Sequence, residues 1–291
     1  MTSQKPDWLK VKFDGESVAK MDALLAQLSL NTVCQEAHCP NMGECYKKNT
    51  ATFIIMGETC TRSCKFCAVT KGQVRPLDPQ EPYHVALASQ KLGLKHVVVT
   101  SVTRDDLPDG GAAHFAETVR QLKTLLPDIT VEVLIPDLQG VTLDIDRIIA
   151  AGPDVINHNL ETVPSLYSLI RPEADYQRSL AVIRYVHEHA KHIITKSGIM
   201  LGLGETDAEV DQLMDDLLAT GCDILTVGQY LQPTKQHVPV KEYVSPAYFA
   251  EIKRRGEAKG FKFVASAPLV RSSYNAIDAL ASIRAGLEVP S

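Results

Sequence analysis

Short apolar segments rich in valine, isoleucine and threonine recur along the chain from residue 51 onward. Their length and nearly continuous hydrophobicity are typical of strands that are buried on both faces of a parallel sheet. We therefore predict strands at Thr52–Met56, His96–Ser101, Thr130–Ile135, Val155–His158, Ile193–Met200, Ile224–Gln229 and Lys262–Ser266.

Helical patterns alternate with these strands, and several of them carry end signals. Gly93 follows one helix as an expected C-cap residue, Thr206 and Glu209 have the spacing of a capping box, and Ser245-Pro246 opens another helix. The predicted helices are Ser17–Leu28, Pro82–Leu92, Ala112–Leu126, Gln177–His189, Thr206 to Ala219, and Ser245 to Lys259.

This alternation predicts an α/β fold in which helices cover a parallel sheet. About six βα units follow Ala51, which favours a partial (β/α)6 TIM-type barrel with N-terminal and C-terminal extensions. A doubly wound open sheet is the main alternative, because periodicity does not separate the two. We divide the chain into an N-terminal extension at 1–50, a barrel core at 51–245 and a C-terminal extension at 246–291.

Composition narrows the class of protein. The 291 residues are 45% hydrophobic and 22% charged, with a net charge of −5, which is ordinary for a globular protein and unlike a nucleic-acid binder. The sequence contains no run of 18 apolar residues, so no membrane span is predicted. The segment Met1 to Lys12 does not have the apolar core of an export signal. We therefore expect a cytoplasmic protein without nucleic-acid or membrane partners.

The cysteines are unusually clustered, since six of the seven lie between Cys34 and Cys67. Disulfides are rare in the reducing cytosol, so such a cluster indicates metal ligands or catalytic thiols. The second group of three, Cys60, Cys64 and Cys67, has the spacing C-x3-C-x2-C and directly follows the first predicted strand. In βα barrels the carboxyl ends of strands carry the chemistry.

Three thiolates at this spacing suit three irons of a [4Fe–4S] cluster and leave one iron open to an outside ligand. A structural zinc site is the alternative, but it usually takes four ligands in two separated pairs. The first group, Cys34, Cys39 and Cys45, has the spacing C-x4-C-x5-C. Alone it is ambiguous between metal ligands and buried thiols.

The C-x3-C-x2-C motif with Phe66 before its last cysteine resembles the radical S-adenosylmethionine superfamily. The two adjacent triads together resemble the lipoyl synthase family, and the resemblance extends from about Pro6 to Tyr274. Further matching stretches lie at 41–45, 103–107, 157–162, 196–205, 228–233 and 271–274, the last being Arg-Ser-Ser-Tyr.

The resemblance implies an enzyme that inserts sulfur at C6 and C8 of an octanoyl chain linked to a lysine of a lipoyl carrier domain. Cys60, Cys64 and Cys67 would hold the catalytic [4Fe–4S] cluster that cleaves S-adenosylmethionine. Cys34, Cys39 and Cys45 would hold an auxiliary [4Fe–4S] cluster that is consumed as the sulfur donor. A serine of the last motif would be its fourth ligand; we favour Ser273, although Ser272 is adjacent.

The implied partners are octanoylated carrier domains of a 2-oxoacid dehydrogenase E2 or a glycine cleavage H protein. A flavodoxin or ferredoxin would supply electrons, and an iron–sulfur carrier would rebuild the auxiliary cluster. The rival functions are another sulfur-inserting enzyme of the superfamily, similar to biotin synthase, and a non-catalytic iron–sulfur electron carrier. A carrier normally uses four protein ligands for each cluster.

Polar residues near predicted strands are candidates for binding S-adenosylmethionine. Arg104 follows the second strand, and Asn159 and Glu161 follow the fourth. Lys196 lies on an apolar strand, where its ammonium could pair with the cofactor carboxylate or simply extend toward solvent. With Phe66, these residues form the predicted cofactor site; for Arg104 an exposed charged turn is the alternative.

Overall fold

A computed structural model describes residues 5–9, 19, 23, 25–28, 30–33, 41 and 52–273 of the chain. Half of the predicted helix Ser17–Leu28 lies outside the described residues; of those described, 19, 23 and 25–27 are helical. Cys34, Cys39, Cys45 and Tyr274 lie outside them as well.

The strands fall where the apolar pattern predicts them, to within about one residue at each end. They are β1 Asn31–Thr32, β2 Thr52–Ile55, β3 Thr59–Cys60, β4 Thr70–Lys71, β5 His96–Ser101, β6 Thr130–Leu134, β7 Val155–Asn157, β8 Ile194–Leu201, β9 Ile224–Gln229 and β10 Phe263–Ser266. Of these, β1, β3 and β4 are two residues long and were not predicted.

Helices separate the long strands. They are α1 Glu81–Lys91, α2 Ala112–Leu125, α3 Thr142–Ile149, α4 Tyr167–Ile170, α5 Tyr176–His189, α6 Asp207–Ala219 and α7 Pro246–Lys259, and three-residue 3-10 helices stand at Asp7–Leu9, Leu138–Gly140 and Pro164–Leu166. The capping box of Thr206 and Glu209 forms as predicted, and the Ser245 side chain caps α7.

The strands pair in the order β1-β2-β5-β6-β7-β8-β9-β10. Strands β3 and β4 form a separate two-stranded sheet. In the main sheet every pair from β2 to β10 is parallel and follows chain order, and only β1 runs antiparallel to its neighbour. A doubly wound sheet would reverse its strand order at a switch point. The structure therefore confirms the partial barrel, with an open side between β10 and β1.

The two faces of the sheet differ in character. Alternate residues such as Val97, Val99 and Val131 are fully buried in the apolar core with the helices. The residues between them face the concave side, where Glu132 of β6 and Lys196 of β8 meet across β7. The concave side therefore carries buried charged groups, whereas the other face is apolar.

The segment after β10 covers the open side of the barrel. The Gln229 N–H at the end of β9 donates to the carbonyl of Pro268 at 3.2 Å. Farther on, the Thr52 hydroxyl at the start of β2 donates to the Ser273 hydroxyl at 2.8 Å. Within the described residues, no helix is both long and apolar enough to cross a membrane.

Candidate active site

Cys60, Cys64 and Cys67 lie on the segment that follows β2, at the carboxyl end of the sheet. We call residues 60–67 the cluster loop. All three are free thiols and all are partly buried. Burial raises the pKa of Cys64, and it raises the pKa of Cys67 to about 12, with the neighbouring cysteines adding to both shifts.

Hydrogen bonds hold the cluster loop against segments that follow three other strands, β5, β7 and β9. The Cys60 sulfur accepts the N–H of Thr103, after β5, at 3.3 Å. The Lys65 N–H donates to the carbonyl of Ile170, after β7, at 2.8 Å. The His237 ring, after β9, donates to the carbonyl of Cys67 at 3.0 Å. The loop therefore spans the mouth of the barrel.

This donor set fits an iron–sulfur cluster. Three soft thiols are available on one loop, and cluster sulfurs are commonly tuned by N–H donors like that of Thr103. In the described part of the chain, no three cysteine, histidine or acidic side chains already converge as a metal site. The cysteines would hold the cluster, and the S-adenosylmethionine it binds would supply radical chemistry when present.

Phe66, in the cluster loop itself, packs into an apolar wall. It packs against a small buried cluster of Ile170, Leu203 and Tyr230. The Tyr230 hydroxyl donates to the carbonyl of Val238 at 2.7 Å, which ties the loop after β9 to this wall. An apolar surface next to three thiols suits an adenine ring. The contact of Phe66 with the adenine of the cofactor stays a prediction, and the apolar surroundings agree with it.

Asn159 and Glu161 lie together, as the sequence predicts. The Asn159 side-chain N–H donates to Glu161 at 3.0 Å, while its side-chain oxygen, Oδ1, is buried without a partner. Glu161 has φ of 68°, a left-handed conformation that is costly without glycine. Burial raises its pKa. Strain and an unsatisfied polar atom at a strand end are typical of a binding site, and these two residues remain our proposed cofactor contacts.

Arg171 is a site residue that the sequence analysis missed. It donates to the carbonyls of Asn159 and Leu160 at 2.9 and 3.1 Å and to the Tyr167 hydroxyl at 3.2 Å. Although burial opposes its charge, its anionic neighbours, Glu161 and Cys64 among them, raise its pKa. Arg171 therefore holds the strained strand end near the cysteines, a role that no local pattern signals.

Arg104 and Lys196 are paired with carboxylates of the protein itself. Arg104 makes two hydrogen bonds of 2.8 Å to Asp106, and its side chain is 3% exposed. It is not the exposed turn of the alternative interpretation. Lys196 donates to Glu132 at 2.8 and 3.1 Å. Either residue would have to share or leave its partner to bind S-adenosylmethionine, and both assignments stay predictions.

The first triad lies outside the described residues, but one residue inside its spacing is placed. Asn41, between Cys39 and Cys45, donates from its side chain to the carbonyl of Leu269 at 2.7 Å. Leu269 is four positions before Ser273 in the chain. This contact brings the segment of the first triad to the segment that carries the two candidate serines.

Comparison with known proteins agrees with this geometry. The sequence profile of the Radical SAM superfamily matches residues 54–217. Curated proteins called lipoyl synthase are similar over nearly the whole chain. The one from Caldanaerobacter subterraneus subsp. tengcongensis is 58% identical, covering 95% of this chain and 97% of that protein. The one from Alkaliphilus metalliredigens is 52% identical, covering 95% and 96%.

Solved structures show the same fold at low identity. Streptococcus suis SuiB bound to its precursor peptide SuiA has a TM-score of 0.55 at 14% identity, covering 84% of this chain and 58% of that chain. HydG, a maturase of the [FeFe]-hydrogenase, also has a TM-score of 0.55 at 14% identity, covering 85% and 55%. From the profile match and the identity to curated relatives, the chain belongs to the lipoyl synthase family of radical S-adenosylmethionine sulfurtransferases.

Proposed function

We propose that this chain inserts two sulfur atoms, at C6 and C8, into an octanoyl group linked to a lysine of a carrier protein. The observation that carries the proposal is the 58% identity to a lipoyl synthase over 95% of the chain, together with two cysteine triads. The octanoyl carbons bear unactivated C–H bonds that no side-chain base deprotonates. Such bonds need radical chemistry, which cofactors supply.

Cys60, Cys64 and Cys67 hold the catalytic cluster in this proposal, and one equivalent of S-adenosylmethionine is used for each sulfur. Phe66, Asn159 and Glu161 contact the cofactor at the mouth of the barrel. Buried charged groups lie below them on the concave side of the sheet. The octanoyl chain enters from the mouth of the barrel, and the carrier domain stays outside. Arg104 and Lys196 are secondary candidates because both are already paired.

Cys34, Cys39 and Cys45 hold the auxiliary cluster that donates sulfur, and Ser273 supplies the fourth ligand. The contact between Asn41 and Leu269 supports this pairing of distant segments. An oxygen ligand is a hard donor on a site otherwise made of soft thiolates, so its bond to iron is the easier one to break. That property suits a cluster that is dismantled during the reaction.

The proposed protein partners are octanoylated E2 or H-protein carrier domains, a flavodoxin or ferredoxin, and an iron–sulfur carrier that rebuilds the auxiliary cluster. The first test separates the triads. Alanine at Cys60, Cys64 and Cys67 should abolish 5′-deoxyadenosine formation. Alanine at Cys34, Cys39 and Cys45 should keep S-adenosylmethionine cleavage but stop sulfur insertion, scored by mass spectrometry of an octanoyl-lysine peptide. Lipoyl product from the second variant would refute the donor assignment.

The second test concerns the serines. We expect Ser273→Ala to keep S-adenosylmethionine binding but to lose most lipoyl product, whereas Ser272→Ala is the matched control and should be milder. Ser273→Cys should retain the auxiliary cluster and release its sulfide poorly, because a thiolate binds iron more firmly. Mössbauer counting of cluster iron beside product yield reads both properties. Full product from both alanine variants would remove the serine ligand from the proposal.

A further inference from the structure

Arg62 lies between the first two thiols of the cluster loop and is buried. Its backbone N–H reaches the Cys60 sulfur at 3.4 Å. Its side chain is only 3% exposed, which is rare for arginine unless the charge is paired. The sequence analysis gave this residue no role, although it stands inside the ligand spacing itself.

The guanidinium of Arg62 joins two carboxylates through four hydrogen bonds. Nε and Nη2 donate to Asp105 at 2.7 and 2.9 Å. Nη1 and Nη2 donate to Asp137 at 3.0 and 2.6 Å. Asp105 follows β5 and Asp137 follows β6, so this one side chain ties the cluster loop to the two strand ends beside it. Such paired, planar contacts fix direction as well as distance.

Asp137 is itself held firmly. It begins a turn in which Leu138 and Gln139 have φ of 46° and 54°, both left-handed. The Gln139 N–H donates to Asp137 at 3.2 Å, and Arg178 of α5 donates to it at 3.3 Å. Left-handed residues other than glycine persist only when their surroundings fix them. Arg62 is therefore anchored to a rigid point and not to a mobile carboxylate.

Stability alone does not explain this bridge. Buried charged groups are often no more stabilising than apolar residues of similar volume, because each charge loses its hydration. Although burial opposes it, the bond from Arg62 lowers the pKa of Asp137, so the pair stays ionised. The bridge thus keeps fixed charges within two residues of Cys60 and Cys64, where a cluster's potential responds to local charge.

We propose that Arg62 is a positioning residue for the cluster held by Cys60, Cys64 and Cys67. Its bridge to Asp105 and Asp137 fixes the backbone between the first two thiols, and the charge balance of the bridge sets the cluster's reduction potential. The proposal rests on the radical S-adenosylmethionine assignment and not on the identity of the acyl substrate.

The test compares Arg62→Lys, Arg62→Met and Asp137→Asn in the full chain with both clusters reconstituted. Lys65→Met is the matched control, because it removes an exposed positive charge from the same loop without touching the bridge. The readouts are the chelator concentration that removes half of the cluster iron, and the midpoint potential of the paramagnetic signal that changes on adding S-adenosylmethionine.

Loss of one arm of the bridge in Arg62→Lys should weaken the hold on cluster iron about 10- to 100-fold, as for other groups that support metal ligands. In Arg62→Met the two carboxylates lose their counter-charge, so the potential should become more negative. In Asp137→Asn a negative charge is lost, so the potential should become more positive. Shifts of opposite sign are not expected from a residue that only stabilises the fold.

Wild-type iron retention and potential in the Arg62 and Asp137 variants would overturn the proposal, and so would shifts of the same sign. If Arg62→Met does not fold, Asp105→Asn is compared with Asp137→Asn instead, since that carboxylate is 28% exposed. Both of these variants remove a negative charge, so both should raise the potential, and a potential that does not rise in either would overturn the proposal. If the potentials shift as expected but the protein makes no lipoyl product, the role of Arg62 stands and only the proposed substrate is wrong.

Discussion

Lys196 and Glu132 form a buried ion pair. Removing it has different consequences if Lys196 is only structural and if it contacts S-adenosylmethionine. Both side chains are 1% exposed, and the ammonium contacts both carboxylate oxygens. Burial opposes ionisation of Glu132, but the Lys196 charge and the contact with His96 lower its pKa to about 2. If the pair is structural, removing either charge destabilises the fold and leaves the cofactor site intact.

The magnitude follows from what each variant leaves behind. Lys196→Met leaves a buried carboxylate, and Glu132→Gln leaves a buried ammonium, so each should lower the free energy of unfolding by about 3–5 kcal/mol. The double variant Lys196→Met/Glu132→Leu leaves neither charge and should recover most of that loss. Some loss remains, because the Asn157 amide also donates to Glu132, at 3.3 Å.

Urea unfolding followed by circular dichroism measures the stability, and equilibrium dialysis measures S-adenosylmethionine binding to the reconstituted protein. We expect the double variant to bind the cofactor within about twofold of wild type, a difference of less than 1 kcal/mol. A double variant of near-normal stability that binds ten times more weakly would show that Lys196 contacts the cofactor. Additive losses in the two single variants, without recovery in the double, would refute the energetics.

Three further variants test other parts of the structure. Burial lowers the pKa of His158 from 6.5 to about 4. As the pH falls from 6.5 to 4, the unfolded chain therefore binds a proton that the folded chain does not, and the free energy of unfolding decreases. His158→Asn should remove up to about 1.4 kcal/mol per pH unit of this dependence, measured by urea unfolding at several pH values. Thr206→Ala breaks the capping box with Glu209 and should cost about 0.5–2 kcal/mol, read as a lower thermal midpoint. In Gly198→Ala the added Cβ would lie 2.5 Å from the Thr226 hydroxyl oxygen and 2.9 Å from the Asn159 side-chain oxygen. Both side chains must shift, so S-adenosylmethionine should bind more weakly while far-ultraviolet circular dichroism stays unchanged.

The strands of the barrel were predictable because each is a local run of apolar, often β-branched residues. β5 and β9 match the predicted bounds at both ends. The helix α3 Thr142–Ile149 was missed because it has only eight residues and no side-chain cap at its start. The strand order could not be read from periodicity, since an open sheet and a barrel use the same apolar segments.

The proposed cysteine ligands could be chosen from the sequence for a similar reason, because their spacing is local. The ion pairs of the barrel are not local. Arg62 and Asp137 are 75 positions apart, and Lys196 and Glu132 are 64 apart, so only the folded barrel reveals either pair. The sequence alone therefore gave no sign that Lys196, on an apolar strand, is paired with a carboxylate of another strand, and its cofactor role stays a prediction.

The open side of the barrel connects the fold to the site. A partial barrel leaves two sheet edges, here β1 and β10, and exposed edges are a hazard for aggregation. The segment after β10 crosses this side. The Thr52 hydroxyl, at the start of β2, donates to the Ser273 hydroxyl, and the Asn41 side chain donates to the carbonyl of Leu269. The same crossing covers the open side and brings Asn41 to the segment that carries the two candidate serines. The proposed second cluster would therefore draw its ligands from two segments that lie on opposite sides of the barrel in the sequence.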